Sequence, residues 1–225
     1  MNTVLSIFPG IDLFGRAFEQ EGYCVVRGPD LLWGGDIKSF HPEAGIFAGL
    51  IGGPPCVGES HLAHLNGKPG YSLWGEAVRI INEAQPLWWV LEAVVKHDAP
   101  YVVKLSPRYL GEKQSRVRYF HSNLDLKPFI EVALFEHREF AYAVSAANRS
   151  GSKGTVRRGL ASYYFADMCE LQGLPRDFDL PDLLAAKKEQ AVGNGVPLCM
   201  GLAIARAVKH VCEVTACQPY TNYRQ

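Results

Sequence analysis

The chain has 225 residues, 48% of them hydrophobic and 20% charged, enough for one domain, with or without a small insertion, around a sizeable core. Its 23 basic and 23 acidic side chains cancel, which excludes a general polycation and leaves room for a local basic patch. The six cysteines form no CxxC pair and have no zinc-like spacing with histidines, so no metal centre is expected. Scattered thiols without a leader segment suggest a reducing cytosol, and no apolar run reads as a bilayer span.

Residues 4–8 read as a strand. Pro9-Gly10 turns it into a helix with Leu13, Phe14, Ala17 and Phe18 on one face and Gly22 as its stop. Asp12 suits the helix N-terminus. Residues 23–27 read as a second buried strand. Strand, glycine turn, helix, strand opens a βαβ unit and implies a parallel sheet. Ligands favour such strand-end crevices, although one glycine is less than a full phosphate-binding fingerprint. Asp30 and Asp36 follow in glycine-marked loops. Each either accepts the hydroxyls of a ribose or an adenine amine, or caps its own turn.

Residues 46–51 form an apolar run stopped by Gly52-Gly53-Pro54-Pro55, and the residue presented at that stop is Cys56. A thiol on a rigid turn at a strand end suits nucleophilic work, and a buried cysteine beside a tight turn is the plainer alternative. Residues 61–71 read as a loop and candidate lid, with His61 and His64 solvated. Helical spacing covers 74–84. Residues 87–95 form a strand with one charge, Glu92, inside it. A buried unpaired carboxylate is rare, so Glu92 lies at an exposed strand end or has a function.

Residues 101–105 are a further strand. Alternation over 113–120 puts Arg116 and Arg118 on one face and Val117 and Tyr119 on the other. Two guanidiniums in line suit a phosphate or a carbonyl oxygen. Residues 129–144 look strand-like with a turn near 136–138. The glycine-rich loop 148–159 carries Arg149, Lys153, Arg157 and Arg158, and is either a phosphate-contacting loop or a solvated one. Residues 164–172 read as a helix ended by Gly173 and Pro175, and 178–186 as loop. Residues 191–197 read as a sharp strand-to-helix turn with Pro197 at the first helical position. A helix over 198–211 closes the fold, and the tail from 215 frays.

In this order the segments resemble the DNA (cytosine-5) methyltransferases, particularly the small single-domain kind of phages and prophages. Phe8-Pro9-Gly10 resembles the cofactor loop, Asp30 the ribose-binding acid, and Gly35-Asp36-Ile37 the adenine-binding motif. Gly53-Pro54-Pro55-Cys56 resembles the nucleophile motif, Leu91-Glu92-Ala93-Val94 the Glu-Asn-Val motif, and Gln114-Ser115-Arg116-Val117-Arg118 the Gln-x-Arg-x-Arg motif. Glu170-Leu171-Gln172-Gly173-Leu174-Pro175 resembles the start of the late helix region, and Gly193-Asn194-Gly195-Val196-Pro197 the last motif. The departures are Asp12 where glycine is usual, Val57 for glutamine, Glu59 for an apolar residue, and Ala93 for asparagine.

The resemblance implies a Rossmann-like S-adenosylmethionine-dependent methyltransferase fold: α/β, with a mostly parallel central sheet, helices on both faces and a reduced target-recognition region. It implies a catalytic and cofactor domain over 1–122, the recognition region over 123–159, and a late helix region over 160–225 returning to the first. It further implies methyl transfer to C5 of cytosine in double-stranded DNA, on a flipped-out base. Cys56 would add to C6, Glu92 would hold N3 and the exocyclic amine and donate a proton, and Arg118 with Arg116 would face O2. S-Adenosylmethionine would contact Phe8, Gly10, Asp30, Asp36, Ile37, Pro55, Asn194 and Val196. Nucleic acid would contact Gln114, Arg149, Lys153, Arg157 and Arg158. A monomer in the bacterial host cytoplasm, with no membrane association and a short or relaxed target sequence, completes the expectation. The departures keep two alternatives open: a weak or inactive DNA-binding relative, or the same chemistry on RNA or a free nucleotide.

Overall fold

Three runs of apolar residues without polar alternation form the middle of one sheet. In the computed structural model, which describes residues 3–57, 71–133, 140–146 and 163–215, these are β1 (Thr3–Ile7), β3 (Gly49–Gly52) and β6 (Trp88–Ala93). A strand so continuously apolar needs cover on both faces, which is the parallel-sheet arrangement. Around them β2 (Cys24–Arg27), β7 (Tyr101–Leu105) and β8 (Arg118–Ser122) complete six strands in the order β2-β1-β3-β6-β8-β7. The first four are mutually parallel. Only β8 runs against its neighbours. β4 (Cys56–Val57) and β5 (Tyr71–Ser72) form a separate antiparallel ladder.

The two-residue period sorts the strand side chains into two layers. Val4, Ile51, Trp88, Val90, Val103 and Phe120 face α1 (Leu13–Gln20) and the long C-terminal helix. Leu5, Ile7, Leu50, Trp89 and Leu91 face α2 (Trp74–Ala84), whose Ala77, Ile80, Ile81 and Ala84 meet them. A third cluster joins Ile11, Leu13 and Val144 to α3 (Phe165–Leu171) and α4 (Ala185–Asn194). The last helix, α5 (Leu198–Thr215), returns to the first. Gly201 permits this, because a Cβ there would stand 2.7 Å from that of Ala17.

Several expectations are corrected. β2 is an exposed edge, not a buried strand, with Val26 41% accessible. The strand expected over 46–51 begins only at Gly49, where a Cβ would strike the Trp88 ring, and Ile46 is exposed. Among the described residues of 129–144 there is no strand. Lys127–Phe129 is a 3-10 turn, and Ala141 makes a single bridge to Gln114. Residues 134–139 lie outside the described part. The expected strand before Pro197 is the helix α4. The 31 residues Ala185–Thr215 are long and apolar enough for a bilayer span, contrary to the sequence reading. They hold two helices, and α5 buries Met200, Ile204, Ala205, Val208 and Val211 against the sheet, so that apolarity serves the core.

Candidate active site

Parallel strands deliver their carboxyl ends, and the loops that follow, to one edge of a sheet. β1 hands over to the Phe8–Asp12 loop there, where Phe8, Gly10 and Asp12 all take positive φ. Asp12 caps α1 through Gly15 N–H at 3.0 Å, accepts the Ser6 hydroxyl at 2.7 Å, and meets Arg27 Nε at 2.8 Å. Burial raises its pKa above the ordinary carboxylate value, against the pull of Ser6, Arg27 and Gly15. Asp30 binds back across this loop. One oxygen accepts Gly10 N–H at 2.9 Å and the other accepts Leu32 N–H at 2.7 Å, while Trp33 Nε1 donates to Gly10 O at 2.7 Å. Asp36 caps a second 3-10 turn through Lys38 N–H at 3.0 Å, beside the buried Ile37. Both aspartates therefore cap turns, and Asp30 also ties its turn to the loop that follows β1.

β3 delivers the Gly53-Pro54-Pro55-Cys56 turn. Cys56 is half-buried, with Sγ 3.4 Å from Pro54 O, 3.8 Å from Ser72 Oγ and 3.9 Å from His97 Nε2. Pro55 O accepts Leu73 N–H at 3.2 Å, tying the turn to α2. The neighbouring strand β6 places Glu92 against the same turn. A Cβ on Gly53 would lie 3.3 Å from Glu92 Oε2. Glu92 is 8% accessible overall, and its Oε1 is 2.7 Å from Arg118 Nε. It is thus a buried carboxylate with a partner, which is how such groups persist in a core.

Arg116 and Arg118 do not share a strand face as expected. β8 begins at Arg118, and the residues before it are irregular. Arg118 faces Glu92. Arg116 is 3% accessible and donates through Nη1 to Val144 O, while its Nε finds no acceptor among the described residues. Burial works hardest against its charge, Arg118 adds repulsion, and Glu92 opposes both, leaving its pKa well below the ordinary guanidinium value. Gln114 is also corrected: it is 1% accessible and not a surface contact for nucleic acid. Its Nε2 donates to Leu171 O at 2.6 Å and its Oε1 accepts Val144 N–H at 3.4 Å. Asn194 is exposed at the end of α4, and Val196 is buried. The following turn reaches α1, where a Cβ on Gly195 would stand 2.8 Å from Leu13 Cδ1. Arg149, Lys153, Arg157, Arg158 and the lid expected over 61–71, up to residue 70, lie outside the described residues.

The sequence reading missed an aromatic cluster beneath Cys56. The His97 ring stacks on Trp74 with centroids 3.9 Å apart and planes at 12°. His97 N–H donates to His121 Nε2 at 2.9 Å, and His121 Nδ1 lies 3.1 Å from Leu91 O. His121 Nε2 is thus an acceptor, so its proton sits on Nδ1 and the ring is neutral. Burial, with the charges of Lys96 and of His97 when it is protonated, pushes its pKa down to about 4, against the pull of Leu91 O. The available signal was positional: His97 follows β6 just as Cys56 follows β3, and those two strands are adjacent.

The sheet order and helix layers make this a Rossmann-like α/β fold, one shared with solved methyltransferases. Among solved structures the chain is similar to the Entamoeba histolytica methyltransferase EhMeth, at 11% identity and a TM-score of 0.58, over 94% of this chain and 98% of that one. It is similar to a Spodoptera frugiperda DNMT2 variant, at 13% identity and 0.59, over 94% and 99%. It is also similar to a protein described as a DNA modification methyltransferase encoded within prophage Cp of E. coli, at 14% and 0.56, over 95% and 100%. No protein-family profile and no curated protein matches the sequence. The likeness agrees, at the level of fold, with the resemblance read from the motif order.

Proposed function

We propose that this chain transfers a methyl group from S-adenosylmethionine to C5 of a cytosine in DNA, with Cys56 as covalent nucleophile. The observation that carries the reading is the meeting of the Gly53-Pro54-Pro55-Cys56 turn with Glu92, which is itself paired with Arg118. On this reading a thiol, a carboxylate and a guanidinium would border one pyrimidine site. The neighbours of similar fold are methyltransferases, which supports group transfer of this kind.

The residues present suit the methyl donor. Asp30 accepts two N–H bonds, and a carboxylate has about four acceptor positions, which leaves room for ribose hydroxyls. Among the described residues, its chain neighbours aside, no atom lies within 4 Å of where a Gly10 side chain would start, so a ligand can approach that Cα. Phe8, Asp36, Ile37, Pro55, Asn194 and Val196 complete the proposed cradle. When bound, S-adenosylmethionine supplies an electrophilic methyl group.

Cys56 adds to C6 of the ring, placing electron density at C5; once C5 carries the methyl group, a base or water takes the C5 proton, the C5–C6 double bond re-forms and the S–C6 bond breaks with its electron pair returning to sulfur. A pyrimidine entering here competes with Arg118 for Glu92, which would accept from the exocyclic amine and, once protonated, donate to N3. Arg118 faces O2. Arg116, buried and bonded to Val144 O, holds the 140–146 segment in place and does not touch the base.

Duplex DNA carrying 5-fluorocytosine tests this, because fluorine at C5 prevents release of the enzyme. With S-adenosylmethionine the protein should be trapped as a denaturant-resistant adduct, and Cys56→Ala should not. RNA and dCMP carrying the same base make the parallel arms. Trapping only on one of those would move the substrate and keep the chemistry. Trapping on none, with folded protein, would overturn the reading.

A further inference from the structure

Five cysteines lie among the described residues, and their surroundings differ. Burial pushes Cys169 up to about 11 and Cys199 up to about 12, so both stay protonated thiols. Cys56 instead has a ring nitrogen 3.9 Å from its sulfur and a hydroxyl at 3.8 Å. The histidine in question is held from two sides. Trp74 presses flat against its ring, and the neutral His121 fixes its backbone N–H. Ser72 Oγ already accepts Trp74 N–H at 3.3 Å, so its own proton can point to the sulfur. Neither His97 nor Ser72 belongs to the motifs that suggested methyl transfer.

We propose that His97 is the activating partner of Cys56: Nε2 accepts the thiol proton, and the sulfur works as a thiolate beside an imidazolium. In this step the S–H bond breaks and an N–H bond forms, with no other reactant. The thiol proton has a competing acceptor in Pro54 O, which keeps the resting sulfur in place. A cation over an indole face is attracted by the ring, so Trp74 favours the charged histidine. The described groups facing the pair are Ser72 from β5, Trp74 from α2 and His121 from β8. Lys96 and Asp98 flank His97, and Glu92 with Arg118 lies behind the Gly53 turn. What the thiolate attacks rests on the proposed function; the pair itself does not.

The test needs neither methyl donor nor nucleic acid. Iodoacetamide alkylation of Cys56 is followed by peptide mass spectrometry from pH 5 to 10, with the exposed Cys24 as internal reference. Ordinary thiols titrate near pH 8.5, and thiols beside an imidazolium below about 7.5. The Cys56 profile should therefore reach half its plateau below about pH 7.5. In His97→Asn the midpoint should rise by at least about one unit, with a roughly tenfold slower rate at pH 6.5. Identical profiles in the two proteins would overturn the proposal. A second measurement covers a misfolded variant: NMR titration of His97 in the natural chain and in Cys56→Ser. Coupling is reciprocal, so losing the thiolate should lower the His97 midpoint, and an unmoved midpoint would equally refute the pair. If the alkylation shift holds while 5-fluorocytosine trapping fails, the substrate reading is at fault and the pair stands.

Discussion

The Glu92–Arg118 pair gives the sharpest test of the crevice as drawn. Its charged atoms are 2.7 Å apart, and the side chains are 10% and 15% accessible. At an effective dielectric near 20 the gross attraction is about 6 kcal/mol. Desolvation of two buried ions cancels much of this, so the pair's net contribution is small. Breaking it from one side is different. Arg118→Met strands the carboxylate, and such losses run to about 3–5 kcal/mol. Arg116 also bears on Glu92 and still favours its charge, so the low end, about 3 kcal/mol, is expected here. Glu92→Gln keeps the shape and removes the charge. The double variant carries no stranded ion and should cost less than the sum of the singles by about 2–3 kcal/mol. Urea unfolding at pH 7, compared at a common m-value, measures all four corners of the cycle. Repeating it at 0.5 M NaCl should leave the coupling in place, since buried pairs are weakly screened. Additivity within about 0.5 kcal/mol would refute the arrangement, because independent sites add to that tolerance.

Two further outcomes follow from the same structure. Gln172 is fully buried, and its Nε2 donates to Val192 O at 2.7 Å and Gly195 O at 2.9 Å. Gln172→Leu removes both bonds, leaving Val192 O its Gly195 N–H at 3.2 Å and the Gly195 carbonyl without this donor, and should lower stability by about 1–3 kcal/mol in thermal or urea unfolding; an unchanged midpoint would contradict the bonding described. Asp12→Asn keeps a cap and tolerates the positive φ of 54°. Burial raises the Asp12 pKa, so the folded chain binds a proton the unfolded chain has lost. The stability of the natural chain relative to Asp12→Asn should therefore fall as pH rises from about 4 through the raised value. A flat or rising difference would show that Arg27 and Ser6 outweigh burial.

The elements were readable where sequence pattern and burial coincide. Continuous apolar runs marked β1, β3 and β6. Asp30 and Asp36 were legible as turn formers, and both cap turns. What was not legible depends on neighbours far along the chain. β2 is apolar in composition but lies at the sheet edge, which no local pattern records. α4 carries little amphipathic signal, and its Gly193-Asn194-Gly195 end mimics a strand-ending turn. A Cβ on Gly193 would meet the Ser145 and Ala146 backbone at 2.6 Å, so that glycine answers a close contact. Gln114 and Arg116 look like surface polar residues and are buried, because the 140–146 segment covers them. His97 gained its meaning only when Trp74 and Cys56 were brought against it.

The reversed direction of β8 has a consequence for how such a protein can diversify. Arg118 opens that strand at the crevice end, opposite the close of β6. The chain then travels away from the chemistry and quits the sheet at Ser122, where Asn123 is bolted to Trp89 N–H and Leu87 O at 2.9 and 3.0 Å. Whatever is spliced in beyond that anchorage starts from the distal rim. The residues just past Asn123, namely Leu124, Leu126 and Phe129, fold back onto the core, so the ladder that aims the guanidinium is pinned at both of its ends.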